Sequence, residues 1–205
     1  MRTFRAAALA LLVAAAAAYP LRADDKVVLK ECEWYPLAIG TAWTYKVGDK
    51  TRKITVAAHE MVGDLPCARL DSSGADGNGT EHVTIKDDGV YRVTTNGQKL
   101  VPPLCLLKLP ARTGTRWKVK YKQGELAVKG TFTLDDEDDV EVPAGTYKTT
   151  MVAREELISG ENALTWVYYF ASGVGIVKQE IIHAGKVASV DLAKFTKAGA
   201  KDDGK

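Results

Sequence analysis

Apolar and polar residues alternate with a period of two along most of this chain, the signature of strands that bury one face and hydrate the other. Trp43, Tyr45 and Val47 share one side of a run whose other side holds Thr44 and Lys46. The run Trp117-Lys118-Val119-Lys120-Tyr121-Lys122 alternates without a fault, and Leu126, Val128, Phe132 and Leu134 continue such a face, with Gly130 leaving a gap. Turn pairs punctuate these runs, among them Gly48-Asp49, Gly63-Asp64, Asp88-Gly89, Asn96-Gly97, Gln123-Gly124 and Ala184-Gly185. Asn96-Gly97 is the best hairpin candidate, since both residues tolerate the positive φ of a two-residue turn. Beyond the N-terminal run, no segment longer than about ten residues follows a helical period. The pattern predicts an all-β fold: an antiparallel meander of roughly nine to eleven strands forming a strongly curved sheet, sandwich or barrel.

Two segments echo one another. Both Pro36-Leu37-Ala38-Ile39-Gly40-Thr41-Ala42-Trp43 and Pro110-Ala111-Arg112-Thr113-Gly114-Thr115-Arg116-Trp117 read Pro-x-x-x-Gly-Thr-x-Trp and enter an alternating strand. Residues 83–93 and 167–177 resemble each other more loosely around Asp88-Gly89-Val90 and Ser172-Gly173-Val174. An internal two-fold repeat of a small β unit accounts for both echoes, and so does the general similarity of hairpins. Between the proposed halves, Val101-Pro102-Pro103-Leu104-Cys105-Leu106-Leu107-Lys108-Leu109-Pro110 does not alternate and has too much proline for a central strand. It reads as a crossover whose leucines 104, 106 and 107 either plug one end of the core or form an apolar lip at a cavity mouth.

The first 23 residues depart from this pattern. Arg2 and Arg5 form a positive head, residues 6–18 an uncharged apolar run, and Ala16-Ala17-Ala18 or Ala23 a small-residue cleavage site, as in a secretory signal. The run is shorter than the about 20 residues a membrane-spanning helix needs, so no stable span is expected after processing. Residues 24–33 then form a charged link, 34–196 a single β domain and 197–205 a charged, flexible tail. Loss of residues 1–23 removes Arg2, Arg5 and Arg22, so 28 basic residues become 25 against 26 acidic ones. A nearly neutral mature chain gives no support for nucleic-acid binding. Three cysteines, Cys32, Cys67 and Cys105, allow at most one internal disulfide. Lys30 and Glu31 before Cys32 place charges where a lipid-attachment signal carries small or apolar residues.

Candidate chemistry is sparse. Residues 135–139 are acidic throughout but lack the spacing of a calcium loop. His59, His82 and His183 fall on three separate predicted strands without zinc-site spacing. There is no nucleophile elbow, no phosphate-cradling glycine loop and no signal for a cofactor. Aromatic residues offer more. Trp43 and Trp117 alternate with polar neighbours and belong to a core, whereas around Trp166, Tyr168 and Tyr169 apolar residues point both ways. That strand is either covered on both faces or presents an aromatic contact surface, so the candidate ligand contacts are Leu104, Leu106, Leu107, Trp166, Tyr168 and Tyr169.

Three landmarks in order, Gly40-Thr41-Ala42-Trp43-Thr44-Tyr45, Val142-Pro143-Ala144-Gly145-Thr146-Tyr147 and Gly173-Val174-Gly175-Ile176-Val177-Lys178, resemble those of a group of uncharacterised exported bacterial all-β proteins. A remoter resemblance is to the curved-sheet lipoprotein carriers of the bacterial envelope, from which this chain departs in lacking a lipid-attachment cysteine and helical segments to lid the sheet. The resemblance implies compartment and fold, and transfers no functional residues. The leading reading is a monomeric, exported, non-enzymatic domain, periplasmic or extracellular, that binds an envelope component or an apolar small molecule or serves as a structural module. A hydrolase-type enzyme with a site assembled by the fold, and an interaction module acting through a strand edge, are the alternatives. Intact-mass measurement of the exported protein should show loss of residues 1–18 or 1–23; a membrane-extracted, full-length species would contradict the signal.

Overall fold

The computed structural model describes residues 27–200 apart from Asp76, Asp138, Thr149, Gly160 and Glu161; the signal-like segment and residues 201–205 lie outside them. Strands β1 (Ala42–Val47), β2 (Lys50–Val62), β3 (Leu65–Gly74), β4 (Gly77–Lys86), β5 (Gly89–Thr95) and β6 (Gln98–Lys108) form the first half. The second half comprises β7 (Arg116–Gln123), β8 (Leu126–Glu137), a short hairpin of β9 (Val140–Val142) and β10 (Gly145–Tyr147), then β11 (Thr150–Ser159), β12 (Asn162–Ala171), β13 (Gly175–His183) and β14 (Lys186–Thr196). Twelve of these close into an antiparallel barrel in chain order, with β14 paired to β1 and the β9–β10 hairpin set apart from the ring. The ring thus holds one strand more than the upper expectation.

The extra strand is β6. The segment read as a crossover is extended and pairs with β5, Val90 opposite Leu107 and Arg92 opposite Leu104. Its prolines act on the other edge. Pro102 and Pro103 have no N–H to give, and β6 pairs with β7 only at Leu100–Gln123 and Val101–Lys122. Beyond that point the seam is bridged by a side chain, the Trp117 indole N–H donating to the Cys105 carbonyl at 3.2 Å. Elsewhere in the ring, each described pair of neighbouring strands is in register at five or more positions.

The two Gly-Thr-x-Trp segments make the same hydrogen bonds. Gly40 N–H donates to Val56 O and Val56 N–H to Thr41 O; Gly114 N–H donates to Leu134 O and Leu134 N–H to Thr115 O. Gly40 and Gly114 take φ of 93° and 82°, a conformation that excludes most side chains and explains the glycine in each motif. The looser echo falls on β4–β5 and β12–β13, which are equivalent hairpins of six-stranded halves, though their turns differ in length.

One end of the barrel is closed by residues 32–38, which cross it from wall to wall. Gly173 N–H donates to Glu33 O at 2.7 Å on one side, and His59 Nε2 donates to Leu37 O at 2.6 Å on the other. Tyr35 and Leu37 are buried beneath this strap, and Trp43 is pinned below it by an indole hydrogen bond of 2.7 Å to Val174 O. The β9–β10 hairpin reaches β14, where Ala144 N–H donates to Leu192 O at 2.9 Å. All three cysteines are free, and burial pushes the Cys67 and Cys105 thiols up to about 11. Leu107 is fully buried, so Leu107→Ala should cost about 2 to 5 kcal/mol in urea unfolding, and Leu126→Ala, at a half-exposed position, less than about 0.5 kcal/mol.

Candidate functional site

Strand register decides which side chains share the barrel interior. On β11 and β12 the pairs Met151–Phe170, Ala153–Tyr168 and Glu155–Trp166 face inward, and Glu155 is also opposite Phe132 of β8. Across the ring, Arg92 of β5 is opposite Val83 of β4. Arg92 spans the interior to hydrogen-bond the Tyr168 hydroxyl, and its Nε lies 3.1 Å from Glu81 Oε2 without the alignment of a full hydrogen bond. Glu155 completes the cluster, with Arg92, Tyr121 and Tyr168 as its electrostatic neighbours. Its side chain is 1% exposed and its Oε1 has no hydrogen-bond partner. Desolvation raises the Glu155 carboxyl to about 7, against the opposing pull of the Arg92 charge. An unsatisfied carboxylate at this depth is costly, so the group is held neutral over part of the physiological range or awaits a donor.

Aromatic rings run from this cluster to the closed end. Trp117 stacks on Phe132 with centroids 4.8 Å apart, Phe132 on Tyr168 at 6.5 Å, and Tyr168 continues to Trp166 at 5.9 Å and Phe170 at 6.3 Å. Phe170 meets Tyr35 edge-on at 6.3 Å, and Tyr35 and Trp43 tilt together at 5.9 Å. Burial is graded along this line. Phe170 and Tyr168 are buried, whereas Trp166, one register step towards the opposite end, is half-buried. At that end Val119 of β7, Gln179 and Ile181 of β13 and Val190 of β14 are half-buried too, whereas Leu100 of β6, Tyr121 of β7 and Val128 of β8 are buried. The interior is therefore packed under the strap and along β6–β8, and looser at the far end beside β12–β14.

The six candidate contacts fall in three places. Trp166 and Tyr168 lie in the interior at the boundary between its packed and accessible parts. Leu104, Leu106 and Leu107 are buried in the β6 wall beside the β6–β7 seam. Tyr169 takes the opposite face of β12, where its hydroxyl donates to Glu180 Oε2 at 3.0 Å and Lys178 sits 5.3 Å from its ring. Sequence reasoning missed Glu155, Arg92 and Glu81. Their signal was phase: in Val90-Tyr91-Arg92 and Met151-Val152-Ala153-Arg154-Glu155 a charged residue occupies the apolar register.

The outer face of β2–β4 carries a polar cleft of about 1050 Å³, lined by residues such as Lys53, Arg69, Asp71, Thr80, His82 and Asn96. Its charges neutralise one another, His82 Nε2 donating to Glu60 at 2.7 Å and Arg69 lying 3.1 Å from Glu60 and 3.2 Å from Asp71. His59 serves the strap, and His183 ends β13 opposite Lys186. Among the described residues no three histidine, cysteine or acidic side chains converge as metal ligands.

No protein-family model matches the chain, and no curated protein does. Solved structures do. A protein from Parabacteroides distasonis, provisionally named a lipoprotein, superposes with a TM-score of 0.52 at 12% identity, covering 82% of this chain and 100% of its own. A protein from Bacteroides fragilis, provisionally named an exported protein with a YmcC-like fold, gives 0.44 at 13% identity over 80% of this chain and 99% of its own. At such identities the likeness is one of fold.

The Glu155 carboxyl titrates higher in the folded barrel than in the unfolded chain, where its ordinary value is 4.5. The folded state then holds the extra proton between these values, so stability falls as pH rises from 4.5 through about 7 and levels off above. Denaturant unfolding across this range should show wild type losing up to about 3 kcal/mol relative to Glu155→Gln, whose profile lacks this slope.

Proposed function

We propose that this protein is an exported, non-enzymatic binding module of the bacterial envelope that takes an apolar small molecule, or the apolar part of an envelope component, into the accessible end of its barrel. The partly exposed inward side chains beside β12–β14 carry this reading. A barrel interior serving only as a core is filled along its length, because empty or wet apolar space forfeits packing. Here Trp166, Val119, Ile181 and Val190 keep some apolar surface exposed inside the ring, above a floor formed by Tyr168 and Glu155. Trp166 and Tyr168, stacked with an interplanar angle of 18°, offer a flat face to an incoming apolar group. The free Glu155 Oε1 offers an acceptor at the bottom. Leu104 and Leu107, paired with Arg92 and Val90 and themselves buried, support the wall around the cluster and do not line an open route.

Export is supported by the charged head and short apolar run at the N-terminus. The provisional naming of the Parabacteroides distasonis relative in fold as a lipoprotein agrees with an envelope location. Titration of the mature protein with the apolar fluorophore N-phenyl-1-naphthylamine should give saturable binding. Trp166→Ser should weaken it by about tenfold or more, the equivalent of losing about 1.5 to 3 kcal/mol of aromatic burial, and the milder Trp166→Phe, which keeps the packing against Tyr168, should weaken it less at near wild-type thermal stability. Absence of saturable binding, or binding that ignores Trp166, would refute the interior as the ligand site.

A further inference from the structure

Strand β7 turns Arg116, Lys118, Lys120 and Lys122 to the outside, alternating with the inward Trp117, Val119 and Tyr121. All four cations are exposed, and β8 adds an exposed fifth, Lys129, directly opposite Lys120. Like charges facing each other across antiparallel strands destabilise a sheet, and the remaining partners of the row, Thr133, Thr131 and Ala127, supply no counter-charge. The nearest acids by register are Glu125 in the β7–β8 turn, Asp135 of β8, diagonal to Arg116, and Glu156, which faces Thr131 from β11, so the middle of the row, Lys120 and Lys122 with Lys129, is the least compensated. Among the described residues none of the five cations is in an ion pair, whereas Arg69 and His82 of the β2–β4 cleft are paired with Glu60 and Asp71.

Exposed apolar groups sit at one end of this row. Val101 of β6, opposite Lys122, is on the same outer face and is 61% exposed; Leu126, opposite Gln123 in the inward phase at the start of β8, is 52% exposed on the barrel rim beside it. A row of cations ending in protruding aliphatic side chains matches a bilayer surface, where cations meet headgroup phosphates and aliphatic side chains enter the acyl boundary.

We propose that the outer face of β7–β8, with Val101 at its tip and Leu126 on the adjoining rim, docks this protein peripherally on an anionic lipid surface. The match is one of charge and polarity together: a soluble polyanion satisfies the lysines and leaves Val101 and Leu126 in water. This face lies on the outside of the barrel and is independent of ligand binding in the interior.

Sedimentation of the mature protein with phosphatidylcholine vesicles containing phosphatidylglycerol, and with pure phosphatidylcholine vesicles, tests the assignment. Partition onto the anionic vesicles only is expected, released when salt rises from about 0.1 M to 1 M and the screening length falls from about 10 Å to about 3 Å. Replacing Lys118, Lys120 and Lys122 with Gln should weaken partition on the order of a hundredfold. The charge-matched control, Lys46→Gln, Lys50→Gln and Lys53→Gln on β1–β2, should retain it. Val101→Ser with Leu126→Ser should weaken partition without abolishing its salt dependence. Equal binding to both vesicles, no binding to either, equal loss in the control, or tighter binding to double-stranded DNA than to the anionic vesicles would each overturn the proposal.

Discussion

Closure of the ring governs everything else in this molecule. A twelve-stranded antiparallel barrel satisfies the backbone of each wall strand through its neighbours and leaves no edge except where pairing fails. In exchange it encloses an interior that side chains of one phase must fill from every strand. The chain meets that demand unevenly. Large aromatics and the strap of residues 32–38 close one end, while at the other the β6–β8 side is filled by Leu100, Tyr121 and Val128 and the β12–β14 side keeps partly exposed residues. The asymmetry follows from where the bulk is placed: Tyr35, Trp43 and Phe170 converge under the strap, and no described segment crosses the opposite end.

Much of this was legible in the sequence. Alternation identified β1, β7 and β8 residue by residue, because their outer faces are hydrated and their polar and apolar phases separate cleanly. The β6 segment was illegible for a physical reason. Leu104, Leu106 and Leu107 are all buried and the register with β5 shifts twice, so period two disappears, while the prolines cost pairing on one edge only. Proline argues against a strand that must donate on both edges; it is compatible with one whose second edge is left open. Ring closure was equally invisible, since it depends on β1 meeting β14 across nearly the whole domain. The interior charges were readable only as violations of phase, which acquire meaning once both faces of a strand are known.

The two halves show what the fold alone requires. Their Gly-Thr-x-Trp entries repeat hydrogen bond for hydrogen bond, so that geometry belongs to the scaffold. The charged cluster does not repeat. Inward positions of β3 carry Ala68 and Leu70, whereas those of β11 carry Ala153 and Glu155; Val83 faces Arg92 in the first half, and Tyr168 faces Gln179 in the second. Glu155 and Arg92 therefore stand where the equivalent position of the other half carries Leu70 or Gln179, so the charged cluster is not required by the repeated geometry.

The junctions between the halves differ in the same way. β14 and β1 are zipped through five register pairs, and the equivalent β6–β7 junction through two, with Trp117 bridging the remainder. Both the unmatched cations of β7 and the leucines of β6 flank this weaker junction. Prolines in β6 thus have effects on two scales: locally they withhold backbone donors, and globally they set the place where the wall is least tied. If the barrel rests on a membrane by its β7–β8 face, this least-tied stretch of the wall is the part that lies nearest the lipid surface.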